Sequence, residues 1–237
     1  MQISIITVCY NSAKTIRRTF ESVLNQTFTD YEYIVVDGNS KDGTLDIIKE
    51  YEPKFNGRMR WISEPDNGIY DAMNKGIRMA QGEIIGIINS DDYYEFDALQ
   101  NIAAYSDRKA DVYYGMCRQL DEQGEITVIR SNHIRLKNRG MLHPACFVSR
   151  DAYDKFGLFD LQYKIAADYE LLLRFFEAGA GFVPVDSILA NFSSGGISDV
   201  TPYYELYKIR LQYGIISRPK YWLCIIMEFV RKKLLKR

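Results

Sequence analysis

Cysteine is scarce, with four in 237 residues at positions 9, 117, 146 and 224. No C-x-x-C pair occurs and no histidine stands near them at ligand spacing. A disulfide framework and a zinc site of ordinary spacing are excluded, and reduced, mostly buried thiols are expected. Six prolines and 16 glycines are too few for collagen or Pro/Gly-rich disorder. The apolar run near the C-terminus, residues 221–227, falls short of the about 20 residues needed to cross a bilayer, so no span is expected. The opening residues 1–6 carry no basic n-region and pass straight into a strand pattern, so no signal peptide is expected there. Net charge is also nearly absent, at −1, but the balance is uneven. Residues 217–237 carry seven Lys/Arg against the single acid Glu228, which leaves the remainder at −7. A nucleic-acid binder is basic over its body, so that class of partner is excluded.

What is present is enough apolar material for a full core: 47% of residues are hydrophobic and 14% aromatic. Residues 3–9 form an apolar, β-branched run. Ser12 is placed to cap a helix through Leu24, with Ile16, Phe20, Val23 and Leu24 on one stripe. Residues 33–36, 60–63 and 83–88 repeat the strand pattern, with helices expected over 44–51 and from Gly68 to Ala80. Uninterrupted apolar strands alternating with helices predict an α/β fold with a mostly parallel sheet covered on both faces. Beyond Asp97 the pattern is more mixed. Strands are expected at 111–118 and 125–130, joined by a hairpin-like loop at 120–124, then at 145–149 and 181–189. Helices are expected at 168–178 and 203–213. The domain reading is one body over 1–200, with halves of about 1–97 and 98–200, followed by a helical, basic tail over 201–237.

Ligands of open parallel sheets bind beyond the carboxyl ends of the strands. Here those ends carry Tyr10 and Asn11, then Asp37, then Asp66, then Asn89, Ser90, Asp91 and Asp92. Any one of these ends is explained by turn formation; four together favour a site. Its chemistry is bounded by two missing fingerprints. There is no G-x-G-x-x-G after the first strand and no G-x-x-x-x-G-K-[ST]. An acidic rim holds a diphosphate only if a hard divalent cation, Mg²⁺ or Mn²⁺, lies between carboxylate and phosphate. Strand alternation would point Asn89 and Asp91 one way and Ser90 and Asp92 the other. Asp91 is then the metal ligand, and Asp92 is either a cap or a direct contact.

Together these stretches resemble family 2 glycosyltransferases of the GT-A fold. They are Ile3-Ser4-Ile5-Ile6-Thr7-Val8-Cys9-Tyr10-Asn11, Asp37-Gly38-Asn39-Ser40-Lys41-Asp42-Gly43-Thr44, Asn67-Gly68 with Ala72, Asn74 and Gly76, and Asn89-Ser90-Asp91-Asp92. The stretch from Asp66 to Gly76 is most similar to bacterial enzymes that build O-antigen and other surface polysaccharides. The resemblance implies a Rossmann-like GT-A sheet and a nucleotide pocket lined by Thr7, Tyr10, Asn11, Asp66, Asn67 and Asn74, with Asp37 on the base. It makes Asp91 the second acid of a D-x-D motif. Asn89, in the place of the first acid, would bond a ribose hydroxyl while removing one charge from the metal site. Cys9 stands where the family commonly has proline. Ala167-Asp168-Tyr169-Glu170-Leu171-Leu172-Leu173-Arg174 is similar to the family's E-D-x-x-x-x-x-R segment, with Ala167 in place of the Glu. The residues alone leave Asp168 equally a helix N-cap or a base. The resemblance implies the base of an inverting reaction, ionised at a helix N-terminus. His143, Asp92, Tyr169 and Glu170 are candidate contacts for donor sugar or acceptor, and residues 193–198 are a candidate closing loop.

The resulting expectation is an inverting hexosyl- or N-acetylhexosaminyltransferase. It would move a sugar from a nucleoside diphosphate, UDP by resemblance, to a glycan or lipid-linked acceptor. The basic, aromatic tail is read as lying on the inner face of the cytoplasmic membrane, against the alternatives of docking on the body or on a second copy. Other classes remain as rivals. A nucleotidylyltransferase would carry a Gly-rich, cationic first loop, and a glycoside hydrolase needs no nucleotide rim. An inactive nucleotide-sugar or membrane scaffold module is raised by Asn89 and Ala167.

Overall fold

The computed structural model describes residues 2–120, 126–193 and 203–235. Four parallel strands form the first half of a curled sheet: β1 (Ile3–Cys9), β2 (Tyr31–Asp37), β3 (Met59–Ser63) and β4 (Ile84–Ile87). They lie in the order β3-β2-β1-β4, the arrangement of a Rossmann-like sheet. Three helices fill the connections: α1 (Ile16–Leu24), α2 (Thr44–Tyr51) and α3 (Ile69–Met79). β1 and β2 are buried at every residue, which is why they read as mainly apolar runs. Alternate residues of β1 serve two cores. Ile3 and Ile5 pack with Phe20 of α1 and Ile48 of α2, while Ile6 and Val8 pack with Met73 and Ile77 of α3. Gly76 permits the second contact, since a Cβ there would stand 2.5 Å from Ile6 Cγ2.

The second half is mixed. After β5 (Tyr93–Tyr94) and α4 (Ala98–Ala103) come β6 (Val112–Leu120), β7 (Ile126–Arg130), β8 (Cys146–Ser149) and α5 (Arg150–Phe156). These are followed by α6 (Ala167–Glu177) and β9 (Phe182–Ser193). β8 runs antiparallel to both β4 and β6 and so joins the halves into one sheet. β9 runs parallel to β6, and β7 antiparallel to it. Leu171, Leu172 and Phe175 of α6 are fully buried, and Phe176 is half-buried. The GT-A expectation holds in both halves. The loop at 121–125 and positions 194–198 of the candidate closing loop lie outside the described residues.

Two corrections concern local structure. The first helix begins at Ile16 rather than next to Ser12. Asn11 takes a left-handed conformation at φ 51°, and Ser12 spends its hydroxyl on Ser90 at 2.8 Å, so residues 12–15 form a turn instead. The alternation expected at residues 89–92 also fails, because the chain turns there and the Asp92 amide donates to the Asn89 carbonyl at 3.2 Å. Burial holds the Cys9 and Cys146 thiols well above the usual thiol range, and all four cysteines are free.

Two helices complete the described chain, α7 (Tyr203–Gln212) and α8 (Arg218–Leu235). α7 is seated on the body: Ile209 is fully buried in the α3/α6 core, and Tyr163 donates to Gln212 at 2.8 Å. α8 packs on α7, turning Tyr221, Cys224, Ile225 and Glu228 inward. Its opposite arc presents Trp222, Leu223, Ile226, Met227, Phe229 and Val230 to solvent. Among the described residues no helix is long and apolar enough to cross a membrane.

Candidate active site

A cleft of about 640 Å³ opens at the carboxyl ends of β1 and β4. Tyr10 and Asn11 follow β1, Asp66 and Gly68 lead into α3, and Asn89 to Asp92 follow β4; all of them line it, as does Phe192 of β9. The turn leading into α1 adds Thr15 and the exposed cation of Lys14. The sequence does not single out Lys14, because one lysine near a loop carries no pattern. Of the strand ends expected to carry the site, β2 alone sends no side chain into the cleft.

Asp37, expected on the base, is fully buried. One oxygen accepts from the Ser40 hydroxyl, and the other from the Ser63 hydroxyl at 2.6 Å and the Ser40 amide at 3.1 Å. It braces the loop rather than presenting a carboxylate. The rest of that motif is spent in the same way. Asp42 accepts from Thr44 Oγ1 at 2.6 Å and from the Ala13 amide at 3.0 Å. Thr44 Oγ1 in turn accepts from the Ser12 amide, and Asn11 Oδ1 from the Lys41 amide. Burial raises Asp42, but these donors outweigh it and hold its carboxyl below the ordinary range. Asn11 therefore lines the cleft while its side chain ties two loops together. Thr7 lies outside the cleft altogether: it is fully buried on the α1/α2 side and accepts from Tyr33 OH at 2.9 Å. Strand alternation put it there, opposite Ile6 and Val8.

Gly38 lets the two rims meet. A Cβ there would stand 2.6 Å from Asp66 Oδ2 and 3.3 Å from the Tyr10 ring. Asp66 cannot simply swing away, since its other oxygen accepts from the Gly68 amide at 2.8 Å. Overpacking of this kind costs about 1–3 kcal/mol. Gly38→Ala is expected to lower stability by about that amount, read as a fall in Tm.

The Asn89–Asp92 turn is held from both sides. Arg18 donates to the Asp91 carbonyl and to Ser193 Oγ, and Thr19 donates to the Asp92 carbonyl at 2.6 Å. Asp92 is buried, and its Oδ1 accepts from the Ser193 amide at 2.9 Å. Burial, with Asp91 beside it, pushes Asp92 up to about 8. Asn89 Oδ1 and Asp92 Oδ2 are buried oxygens without a partner. Among the described residues no group of three or more His, Cys, Asp or Glu side chains could hold a metal by itself. Hard oxygen donors are nevertheless what the turn offers, and Mg²⁺ is typically held by one or two carboxylates plus substrate phosphates.

A second constellation surrounds Asp168. Tyr70, in the first turn of α3, donates from its hydroxyl to the Ile165 carbonyl at 2.7 Å and lies 3.2 Å from Asp168 Oδ1. Its ring stacks on Phe159 at 5.2 Å. Buried His143 packs edge-on against the same Phe159. The N-cap position of α6 falls on Ala166 and Asp168 lies inside the first turn, so the N-cap alternative falls. Burial raises the Asp168 pKa, and four groups oppose it: His143, the backbone N–H of Tyr169, the Tyr70 hydroxyl and the residue's own backbone N–H. Burial thus works against the ionised form that the helix N-terminus and these donors favour.

Several expected contacts prove to be scaffolding. Asn74 is buried and clamps Phe159, donating to its carbonyl at 2.9 Å and accepting from its amide at 3.0 Å. Asn67 donates to Asp71 at the start of α3 and does not line the cleft. Glu170 is buried between Arg174 and the Tyr213 hydroxyl, which donates to it at 2.6 Å. Tyr169 is buried with an unpartnered hydroxyl. Tyr70 escapes sequence reasoning because a tyrosine on a helical stripe reads as core.

A sheet of this order, with an acid-bearing turn after β4 and a half-buried aspartate in the first turn of α6, defines a GT-A transferase architecture. The sequence matches the model of Glycosyl transferase family 2 over residues 4–164, and the chain belongs to that family. A PGL/p-HBAD biosynthesis glycosyltransferase of Mycobacterium tuberculosis is 31% identical over 220 residues, covering 86% of this chain and 82% of that protein. Among solved structures, S. aureus TarS 1-349 in complex with UDP-GlcNAc superposes with a TM-score of 0.73 at 22% identity, over 89% of this chain and 65% of that one. The mannosyltransferase PcManGT from Pyrobaculum calidifontis, in complex with GDP-Man and Mn²⁺, gives 0.66 at 16% identity, over 89% and 61%. The chain thus spans under two thirds of both solved chains.

Proposed function

We propose that the protein is an inverting glycosyltransferase that takes its sugar from a nucleoside diphosphate donor and gives it to an acceptor hydroxyl. One observation carries this reading: the first turn of α3 joins the two constellations. Ile69 and Ala72 line the cleft, while Tyr70 between them reaches Asp168. The donor lies in the cleft with its diphosphate toward Asp91, Lys14 and the start of α1. Asn89 and Asp91 would hold Mn²⁺ or Mg²⁺ there, which supplies charge neutralisation of the leaving diphosphate. Asp168 takes the proton of the acceptor hydroxyl as that oxygen bonds to the anomeric carbon. The bond from that carbon to the diphosphate oxygen breaks, and configuration inverts. UDP is the preferred nucleotide, in keeping with the UDP-GlcNAc held by TarS. The acceptor is a glycan or lipid-linked sugar of surface polysaccharide synthesis. The test is a panel of nucleotide sugars with Mn²⁺, read as thermal stabilisation, since a ligand that binds the native state raises its stability. Stabilisation by one sugar nucleotide is expected; none from any would sink the reading.

The apolar arc of α8, flanked by Arg218, Lys220 and Arg231, supports docking on an anionic bilayer at the cytoplasmic membrane face. Removing residues 217–237 is expected to abolish sedimentation with anionic vesicles. Unchanged sedimentation would exclude the membrane role, and a shift from dimer to monomer on removal would assign the arc to a second copy.

A further inference from the structure

Helix α6 carries Asp168, yet its own sequence caps it poorly. Its N-cap is Ala166, which has no side-chain acceptor. The acceptor comes from elsewhere in the chain. Glu205 of α7 accepts from three successive backbone amides ahead of the helix: Lys164 at 2.7 Å on Oε1, Ile165 at 2.9 Å and Ala166 at 2.8 Å on Oε2. Charge-assisted bonds of this kind are the stronger ones, and three of them fix the peptide groups on which α6 begins. Ile165 is then gripped from both sides. Its N–H is held by Glu205 and its carbonyl by Tyr70, whose hydroxyl also lies against Asp168.

We propose that Glu205 is a positioning residue for the transfer reaction, setting Tyr70 and Asp168 through the Lys164–Ala166 backbone and making α7 part of the active site. The proposal rests on the transferase reading above. Glu205 touches neither the donor cleft nor Asp168, so its loss should act on the chemical step and not on donor binding. A displacement of about 1 Å at a reacting group costs on the order of a hundredfold.

The experiment compares the full-length protein with Glu205→Ala, Glu205→Gln and Lys208→Ala. Lys208 also docks α7, donating to Gln162 at 2.6 Å, but does not reach the Lys164–Ala166 amides. Expected are a loss of kcat of about a hundredfold for the alanine variant and about tenfold for the glutamine, with donor KM unchanged. The acid limb of the pH–rate profile should move to higher pH as Asp168 loses the aligned Tyr70 hydroxyl. Added acetate, entering the vacated amides, should restore part of the rate to Glu205→Ala and none to wild type. Lys208→Ala should leave kcat, donor KM and the acid limb as in wild type and show no response to acetate. If Glu205→Ala does not fold, the glutamine variant carries the same kcat and pH tests. Unchanged kcat and pH limb, or the same losses in Lys208→Ala, would overturn the proposal. A wild type that transfers no sugar would instead overturn the transferase reading, and this one with it.

Discussion

Asp168→Asn is expected to lower the transfer rate by about 10²–10⁴-fold, the usual contribution of a general base, while donor affinity stays within twofold or so of wild type. Asn keeps the shape and can still accept from Tyr70, but it cannot take a proton from an acceptor hydroxyl. The residue's surroundings add two further signatures. Burial raises the Asp168 pKa, against the opposing pull of His143, the Tyr169 amide and Tyr70. Below that pKa the carboxyl holds a proton and cannot act as base, so the rate should fall on the acid side, at a pH above the ordinary aspartate value. His143→Leu removes one of the lowering influences and should move that limb to higher pH. Stability should run the other way. A carboxyl whose folded pKa is raised contributes stability that is present at low pH and lost as pH rises through that pKa. Near neutral pH, Asp168→Asn should therefore melt no lower than wild type while being nearly inactive. Normal transfer by the variant would remove Asp168 from the base role.

The parts of this molecule that are legible in the sequence are those set by period and order. β1 and β2 are mainly apolar because both faces are covered, and strand alternates with helix around them. Tyr10, Asp66, Asn89 and Asp91 can be found because strand ends of an open sheet collect ligands. The expected contacts whose side chains are engaged away from the cleft share one cause. Asp37, Asn74, Asn67 and Glu170 are polar residues in motif-like positions, and sequence does not distinguish a carboxylate that meets a ligand from one that holds a loop. Asp37 shows this best, since its hydroxyl partners Ser40 and Ser63 lie on different segments and meet only when β2 and β3 pair. Tyr70 and Glu205 are invisible for the converse reason. Their partners lie 95 and 40 residues away along the chain, with no local pattern to announce them.

Asp91→Ala is expected to remove the Mn²⁺-dependent part of donor binding, a loss of at least about tenfold or ~1.4 kcal/mol, while affinity measured in EDTA changes little. The turn after β4 offers Asp91 at the cleft and an unpartnered Asn89 oxygen beside it, so one carboxylate carries the formal charge facing a cation. Asp92 differs from Asp91 in being buried with its Oδ1 on the Ser193 amide, although its Oδ2, like Asn89 Oδ1, has no partner. Asp92→Asn should accordingly leave the Mn²⁺ response in place, and its loss there would move the ligand assignment to Asp92. The converse substitution separates charge from shape. Asn89→Asp keeps the side-chain volume and adds a second carboxylate beside Asp91, which should tighten Mn²⁺ binding and make donor binding more dependent on the metal. If instead Asn89→Asp weakens donor binding with or without Mn²⁺, the amide is there to donate a hydrogen bond to the donor, and the single charge of Asp91 is what the site is built to use.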